Sequence, residues 1–252
     1  MFNEIWYLFI RGLKQSLRPW AALLPSLIMP AFFLIVFSSA FQGITKLPGF
    51  TSTSYLVFYA PVALLQAIFF SSGDAGIDMV VDITSGYMDK LMVAPIRPFS
   101  IIIGKLIAVG IRASVQVTIV VLLILLMGGK IATGFPGYIV IVLLGAFFGM
   151  AWSGFGMTIA LLTKNQRATQ SSFILLFPFT FITTAQLPLS LLSGWYKIAV
   201  ELNPITYVLE GFRALASEGW NGTELGHSFL AAALIAVVTI GAALLSFRRY
   251  SK

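Results

Sequence analysis

Six long apolar runs divide this chain, and they leave a bilayer as the solvent around most of it. Trp20 to Phe41 carries no charged residue, and neither does Tyr55 to Gly73, which continues past Asp74. Ile101 to Met127 is interrupted by Lys105 and Arg112. Further runs lie inside Ile131 to Thr163 and Ala168 to Tyr196, and the last is Ser228 to Phe247. An uncharged stretch of about 18 residues or more crosses the hydrocarbon core as a helix. Backbone groups in lipid must be paired internally, and continuous rather than alternating apolar runs exclude a barrel. The expected fold is therefore an all-α membrane protein, one transmembrane domain over 1–252. Its six transmembrane helices are expected at 20–42, 55–80, 101–127, 137–162, 171–193 and 228–247.

Charge supports this class. Only 10% of residues are charged, against about 25% in soluble domains. The Lys and Arg residues sort by side. Eleven fall beside both termini and the loops after the second and fourth runs, and four fall opposite. That asymmetry predicts both termini in the cytoplasm. The net charge of +7 then reflects topology, and a nucleic-acid partner is not expected. The absence of cysteine excludes a disulfide framework and a thiolate metal site, and no metal site is expected. The first apolar run is too long for the core of a cleavable signal.

Between the runs lie three further elements. Residues 1–19 place Phe2, Ile5, Trp6, Phe9, Leu13 and Leu17 at helical spacing with basic residues opposite, which predicts an amphipathic interfacial helix. Residues 83–98 form a polar loop holding a short helix, with Met88, Leu91 and Met92 on an apolar side suited to a partner's groove. Residues 194–227 read as two short outer helices, re-entrant or interfacial, the second capped by Asn203 with Pro204 at its first position. Gly145, Gly149 and Ser153 recur at four-residue spacing on the fourth run, for helix packing within the chain or for a dimer seam. Phe173, Phe177, Thr180, Thr184 and Gln186 on the fifth could line a greasy route with polar handles.

Asp74, Asp78 and Asp82 lie on one face of the second run, and Lys105 and Arg112 lie on the third. Antiparallel neighbours bring residues level when their numbers sum to a constant. Asp74 with Arg112 and Asp82 with Lys105 give nearly the same sum, so these charges are expected to meet as intramembrane ion pairs. Unpaired charges at depth are costly. A clamp between the two helices, a proton or substrate relay, and a cavity wall are the readings this leaves.

The segment Gly86-Tyr-Met-Asp89-Lys90-Leu91-Met92-Val-Ala-Pro95 follows the second run, and Asn203-Pro204-Ile-Thr-Tyr207-Val-Leu-Glu210-Gly-Phe-Arg213 follows the fifth. In these slots, over essentially the whole chain, they resemble the type-2 ABC exporter permeases, most of all the daunorubicin-resistance type. Thr84-Ser85 stand where that family often has an acidic residue before the loop glycine. The resemblance implies a membrane subunit, not an enzyme, in a bacterial or archaeal cell membrane. Its coupling helix, with Gly86, Met88, Asp89, Lys90, Leu91, Met92 and Pro95, would dock on a separate ATPase. Two ATP-binding-cassette ATPase subunits and a second permease, identical or related, would be its partners. ATP and Mg would bind the ATPase and no cofactor this chain. Independently, the chain has no Gly-x-x-x-x-Gly-Lys-[Ser/Thr] phosphate loop. The expected cargo is an amphipathic drug or lipid-like molecule. Saccharide or glycolipid export by the same fold, and secondary active transport, are the alternatives. The outer-helix residues to watch are Asn203, Pro204, Tyr207, Glu210 and Arg213.

Overall fold

The computed structural model describes residues 2–17, 20–46, 50, 52 and 54–250, excepting the side chains at 2–3, 15–17, 20–25, 98 and 172–177. Every regular element among them is helical: α1 (Phe2–Leu17), α2 (Trp20–Ala40), α3 (Tyr55–Thr84), α4 (Tyr87–Val93), α5 (Pro98–Leu126), α6 (Gly134–Thr163), α7 (Gln166–Leu176), α8 (Gly194–Leu202), α9 (Pro204–Arg213) and α10 (Gly222–Tyr250). Four of the described helices, within α3, α5, α6 and α10, are long and apolar enough to cross a membrane, which makes this a multi-pass membrane protein. At 30 residues, α3 extends about 45 Å. That exceeds the ~30 Å hydrocarbon core, so its polar end at Asp82 can stand near the headgroups. The uncharged helix α2 covers the first apolar run and continues through Pro30 without a break.

The fifth run departs from the single helix read over 171–193. α7 stops at Leu176, a 3₁₀ turn follows at Phe177–Thr180, and a second stands at Leu189–Leu191. Pro178 and Pro188 each lack the N–H that a continuing helix needs. Between them Thr183 Oγ donates to the Thr180 carbonyl at 2.8 Å, a local bond that competes with helix propagation.

α3 is the hub. Of its most apolar stretch 83% is buried, against 28% for α10 at the periphery. One core joins Tyr55 to Phe69 of α3 with Phe148 of α6 and Phe212 of α9. A second joins Met79 and Met88 with Ile102 of α5, Met157 of α6 and Phe247 of α10. The small-residue stripe of α6 packs within the chain. A Cβ on Gly145 would stand 2.8 Å from Val117, and one on Gly149 2.9 Å from Ala113, both on α5. α1 lies equally close on α5, where a Cβ on Gly104 would stand 2.7 Å from Leu8.

Candidate functional site

Charged residues of α1, α3 and α5 gather at the end of α3 that leads into α4. Asp82, 1% exposed, accepts from two cations of different elements. Arg11 Nη2 of α1 donates to it at 2.8 Å and Lys105 Nζ of α5 at 2.5 Å. The Arg11 guanidinium also lies 3.4 Å from the ring centroid of Tyr87, the first residue of α4. One carboxylate thus ties α1, α3 and α5 together at the root of α4. Further along α1, Glu4 accepts from Ser100 Oγ at 2.9 Å and the Arg97 amide at 3.4 Å, at the start of α5. The hydrogen bond from Ser100 is the main reason the Glu4 carboxyl sits below its ordinary range.

Two turns deeper, Arg112 donates to Asp74. The structure therefore brings together Asp74 with Arg112 and Asp82 with Lys105. The intervening Asp78 makes no ion pair among the described residues, and its carbonyl lies 3.5 Å from Lys105 Nζ. Arg112 is 5% exposed and Asp74 38%, so water reaches only one partner. Arg112→Met is expected to lower stability by about 2 kcal/mol, the range for a hydrogen bond to a charged group. Arg112→Met with Asp74→Leu should recover at least half of it. Melting of the purified protein checks both, and a double variant no better than the single one rejects the clamp.

α4 itself reverses one expectation. Met88 is fully buried in the core with Met79, Ile102 and Phe247, and Leu91 and Met92 pack against the same cluster. Of the apolar side assigned from sequence to a partner's groove, Met88 is covered by this chain while Leu91 and Met92 stay partly exposed, because the turn at Gly86 folds the helix back. Gly86 has φ of 69°, a conformation that only glycine adopts without strain. What α4 presents outward is Asp89, Lys90 and Val93, with Pro95 exposed beyond it. Tyr250 OH at the end of α10 donates to Asp89 at 3.3 Å. Beside these, Glu4, Tyr7, Leu8, Tyr87, Leu91, Ala94 and Ile96 line a cavity of about 340 Å³ between α1 and α4.

At the opposite end of α3 the broken fifth segment is held by side chains. Irregular backbone inside a membrane protein persists only where its polar groups find partners. Asn203 Nδ2 donates to the carbonyls of Phe179 at 2.8 Å and Ile182 at 2.6 Å, while its Oδ1 caps α9 by accepting from the Ile205 amide at 3.0 Å. Tyr196 OH donates to the Phe181 carbonyl at 2.6 Å and Tyr55 OH to that of Gln186 at 3.1 Å. Arg213, 4% exposed, donates to the Thr184 hydroxyl at 3.0 Å and carbonyl at 2.7 Å and pairs with Glu210. Its guanidinium carbon lies 4.2 Å from the Phe58 ring centroid. The Thr184 hydroxyl donates in turn to Glu210.

A cavity of about 360 Å³ opens beside this network, with Thr184, Tyr207, Glu210, Arg213, Glu218 and His227 on its wall. Thr184 thus joins the residues of α9, while Thr180 is buried and Gln186 contributes its carbonyl to Tyr55. The Phe173 and Phe177 side chains lie outside the described residues. Pro204 begins α9, and Tyr207 OH donates to the Glu201 carbonyl at 2.9 Å. No group of three or more acidic or histidine side chains able to hold a metal occurs among the described residues.

Two members of these sites escaped the sequence. Arg11 belongs to the basic face of the amphipathic helix in sequence, and nothing local says that α1 folds onto α5. Tyr55 read as the start of an apolar run.

Comparison with known proteins bears on what such sites serve. The sequence profile of the ABC-2 type transporters matches residues 3–216. Among curated proteins, the chain is 27% identical over 217 residues to a putative transport permease, ycf38, of Cyanophora paradoxa, covering 85% of this chain and 74% of the relative. It is 26% identical over 195 residues to the daunorubicin resistance ABC transporter permease protein DrrB1 of Streptomyces coeruleorubidus, covering 77% and 68%. It is 22% identical over 209 residues to a probable doxorubicin resistance permease, DrrC, of Mycobacterium tuberculosis, covering 83% and 75%.

Proposed function

This chain belongs to the ABC-2 type transporter family, and we propose that it is the membrane subunit of an ATP-driven exporter of an amphipathic drug or lipid-like molecule. ATP is hydrolysed, with Mg, on a separate ATP-binding-cassette subunit. Two such ATPases serve two permease chains, identical or related. α4 and both termini face the cytoplasm, and the α8–α9 end faces out. The eleven-to-four bias of Lys and Arg supports that orientation.

One observation carries the reading. A seven-residue helix, α4, is bolted by Met88 to the core and by the Arg11–Tyr87 stack to α1, and turns Asp89, Lys90 and Val93 to solvent. A helix so fixed transmits a push from a docked partner into α1, α3 and α5, whereas a loosely tethered one would absorb it. The cavity between α1 and α4 gives an apolar side chain of that partner a seat. On the far side, the exposed apolar face of α2, with Ile28, Phe32 and Ile35, is free for lipid or the second permease. Relatives carry daunorubicin and doxorubicin resistance in their names. An amphipathic cargo also suits a cavity that sets Thr184 and Glu210 beside Phe58 and Tyr207.

The test is reconstitution in proteoliposomes with an ATP-binding-cassette ATPase subunit from the same organism, reading ATP-driven doxorubicin movement. Asp89→Ala with Val93→Asp should cut transport about ten-fold or more, an interface loss of about 1.4 kcal/mol or greater. The melting temperature should move little, because Val93 is exposed and Asp89 gives up only a solvent-exposed hydrogen bond from Tyr250. Normal co-purification and normal stimulation of the ATPase by this variant would reject the docking role of α4.

A further inference from the structure

We propose that the wedge between the last turns of α5 and the first turn of α6 binds one acyl chain of an anionic phospholipid, with its phosphate at Lys130. The wedge is a cavity of about 640 Å³ walled by Val121, Leu122, Leu125, Ile131, Phe135 and Tyr138. That volume is ordinary for a ligand pocket, roughly 300–1,000 Å³. It lies at the membrane end distal to α4, and it is open because the connecting loop is drawn aside. The Ala132 amide donates to the Ala216 carbonyl at 3.0 Å, and Thr133 Oγ donates to that of Leu215 at 2.7 Å. These bonds satisfy carbonyls of the π-helical turn Ala214–Glu218 and hold the loop so that Lys130 and Ile131 line the wedge without closing it.

The polar groups inside the wedge are already spent. Thr118 Oγ lies 2.9 Å from Tyr138 OH and donates to the Ser114 carbonyl at 2.8 Å. With both hydroxyl protons so used, this part of the wall offers no free donor to a polar ligand and suits hydrocarbon. The mouth is the reverse. Lys130 is exposed there and makes no ion pair among the described residues. A hydrocarbon slot with a free cation at its rim, at the depth of the headgroups, complements a lipid with a phosphate that carries net charge. A second copy of the chain fits less well, since α2, α5 and α6 carry no carboxylate to meet Lys130.

The experiment is native mass spectrometry of the purified chain titrated with phosphatidylglycerol or phosphatidylcholine. Wild type should prefer phosphatidylglycerol, and Lys130→Gln should cut that preference about five-fold, the equivalent of about 1 kcal/mol for one basic residue at an anionic surface. Leu122→Trp, or Leu125→Trp if the first misfolds, should fill the slot and remove one bound lipid of either kind. An unchanged preference in Lys130→Gln overturns the headgroup assignment. An unchanged lipid count in both tryptophan variants overturns the slot. Leu122→Cys is the sole thiol in a chain without cysteine. If it forms an interchain disulfide in native membranes, a second copy covers the wedge and the proposal fails.

Discussion

Asp82→Ala should lose about 3–5 kcal/mol of stability, as when one partner of a buried ion pair is removed. The carboxylate is 1% exposed and Lys105 12%, so Lys105 keeps a charge that water barely reaches and that loses its ion-pair partner, with the Asp78 carbonyl at 3.5 Å as its remaining contact. Arg11, 37% exposed, can turn to solvent and adds little to that cost. Its release acts differently, by freeing α1 from the root of α4. Adding Lys105→Met to Asp82→Ala should restore most of the stability and none of the α1 attachment. The two effects are separable with a disulfide between Gly12→Cys and Ala108→Cys, whose Cβ atoms would stand about 3.1 Å apart, so that a small outward shift of α1 reaches the roughly 3.5–4.5 Å a disulfide spans. It should form readily in the wild-type background and more slowly in both Asp82 variants. Melting of the purified protein and the oxidation rate are the two readouts. A single Asp82→Ala variant that melts like wild type would remove Asp82 from the centre of this end of the molecule.

The contrast between Asp82 and Arg11 marks where sequence reasoning reaches and where it stops. Asp82 and Lys105 lie on consecutive long helices joined by a short loop, so antiparallel packing fixes their level, and simple addition of residue numbers pairs them. Arg11 lies on a helix whose docking is decided by close contact at Gly104, which periodicity does not reveal. α4 shows the same limit from another side. Its length and its glycine were legible, but the direction of its apolar side depends on the turn at Gly86. A periodic Met-Leu-Met pattern looks alike whether a partner or the chain's own core covers it. The fifth run failed for a third reason. Its composition suits a span, and hydropathy ignores whether Pro178 and Pro188 leave enough backbone bonds for a continuous helix. Of the side chains that compensate, Asn203 was legible as the cap of α9 but not as the donor to Phe179 and Ile182, and Arg213 was marked by family resemblance without a reason for its being there.

That reason predicts a large effect. Arg213→Ala should cost about 3–5 kcal/mol, because it removes the cation of a buried pair, a bond to irregular backbone and a bond to the Thr184 hydroxyl at once. Thr184 would lose the donor 2.7 Å from its carbonyl, and Glu210 would keep only the Thr184 hydroxyl. Arg213→Lys should rescue little. One ammonium cannot reach the Thr184 hydroxyl, the Thr184 carbonyl and Glu210 in the plane that also faces Phe58. Glu210→Gln should be milder than Arg213→Ala, since Arg213 keeps both bonds to Thr184. Thr184→Val should be milder still, at about 1 kcal/mol for one hydroxyl, because the carbonyl bond survives. The order Arg213→Ala, Arg213→Lys, Glu210→Gln, Thr184→Val, from most to least damaging, is the signature of an arginine that fixes backbone. Melting temperatures should follow it, and limited proteolysis within 177–191 should appear first in the arginine variants. If Arg213→Lys melts with wild type while Glu210→Gln collapses, the ion pair alone matters, and the broken segment is held by Asn203, Tyr196 and Tyr55 without the arginine.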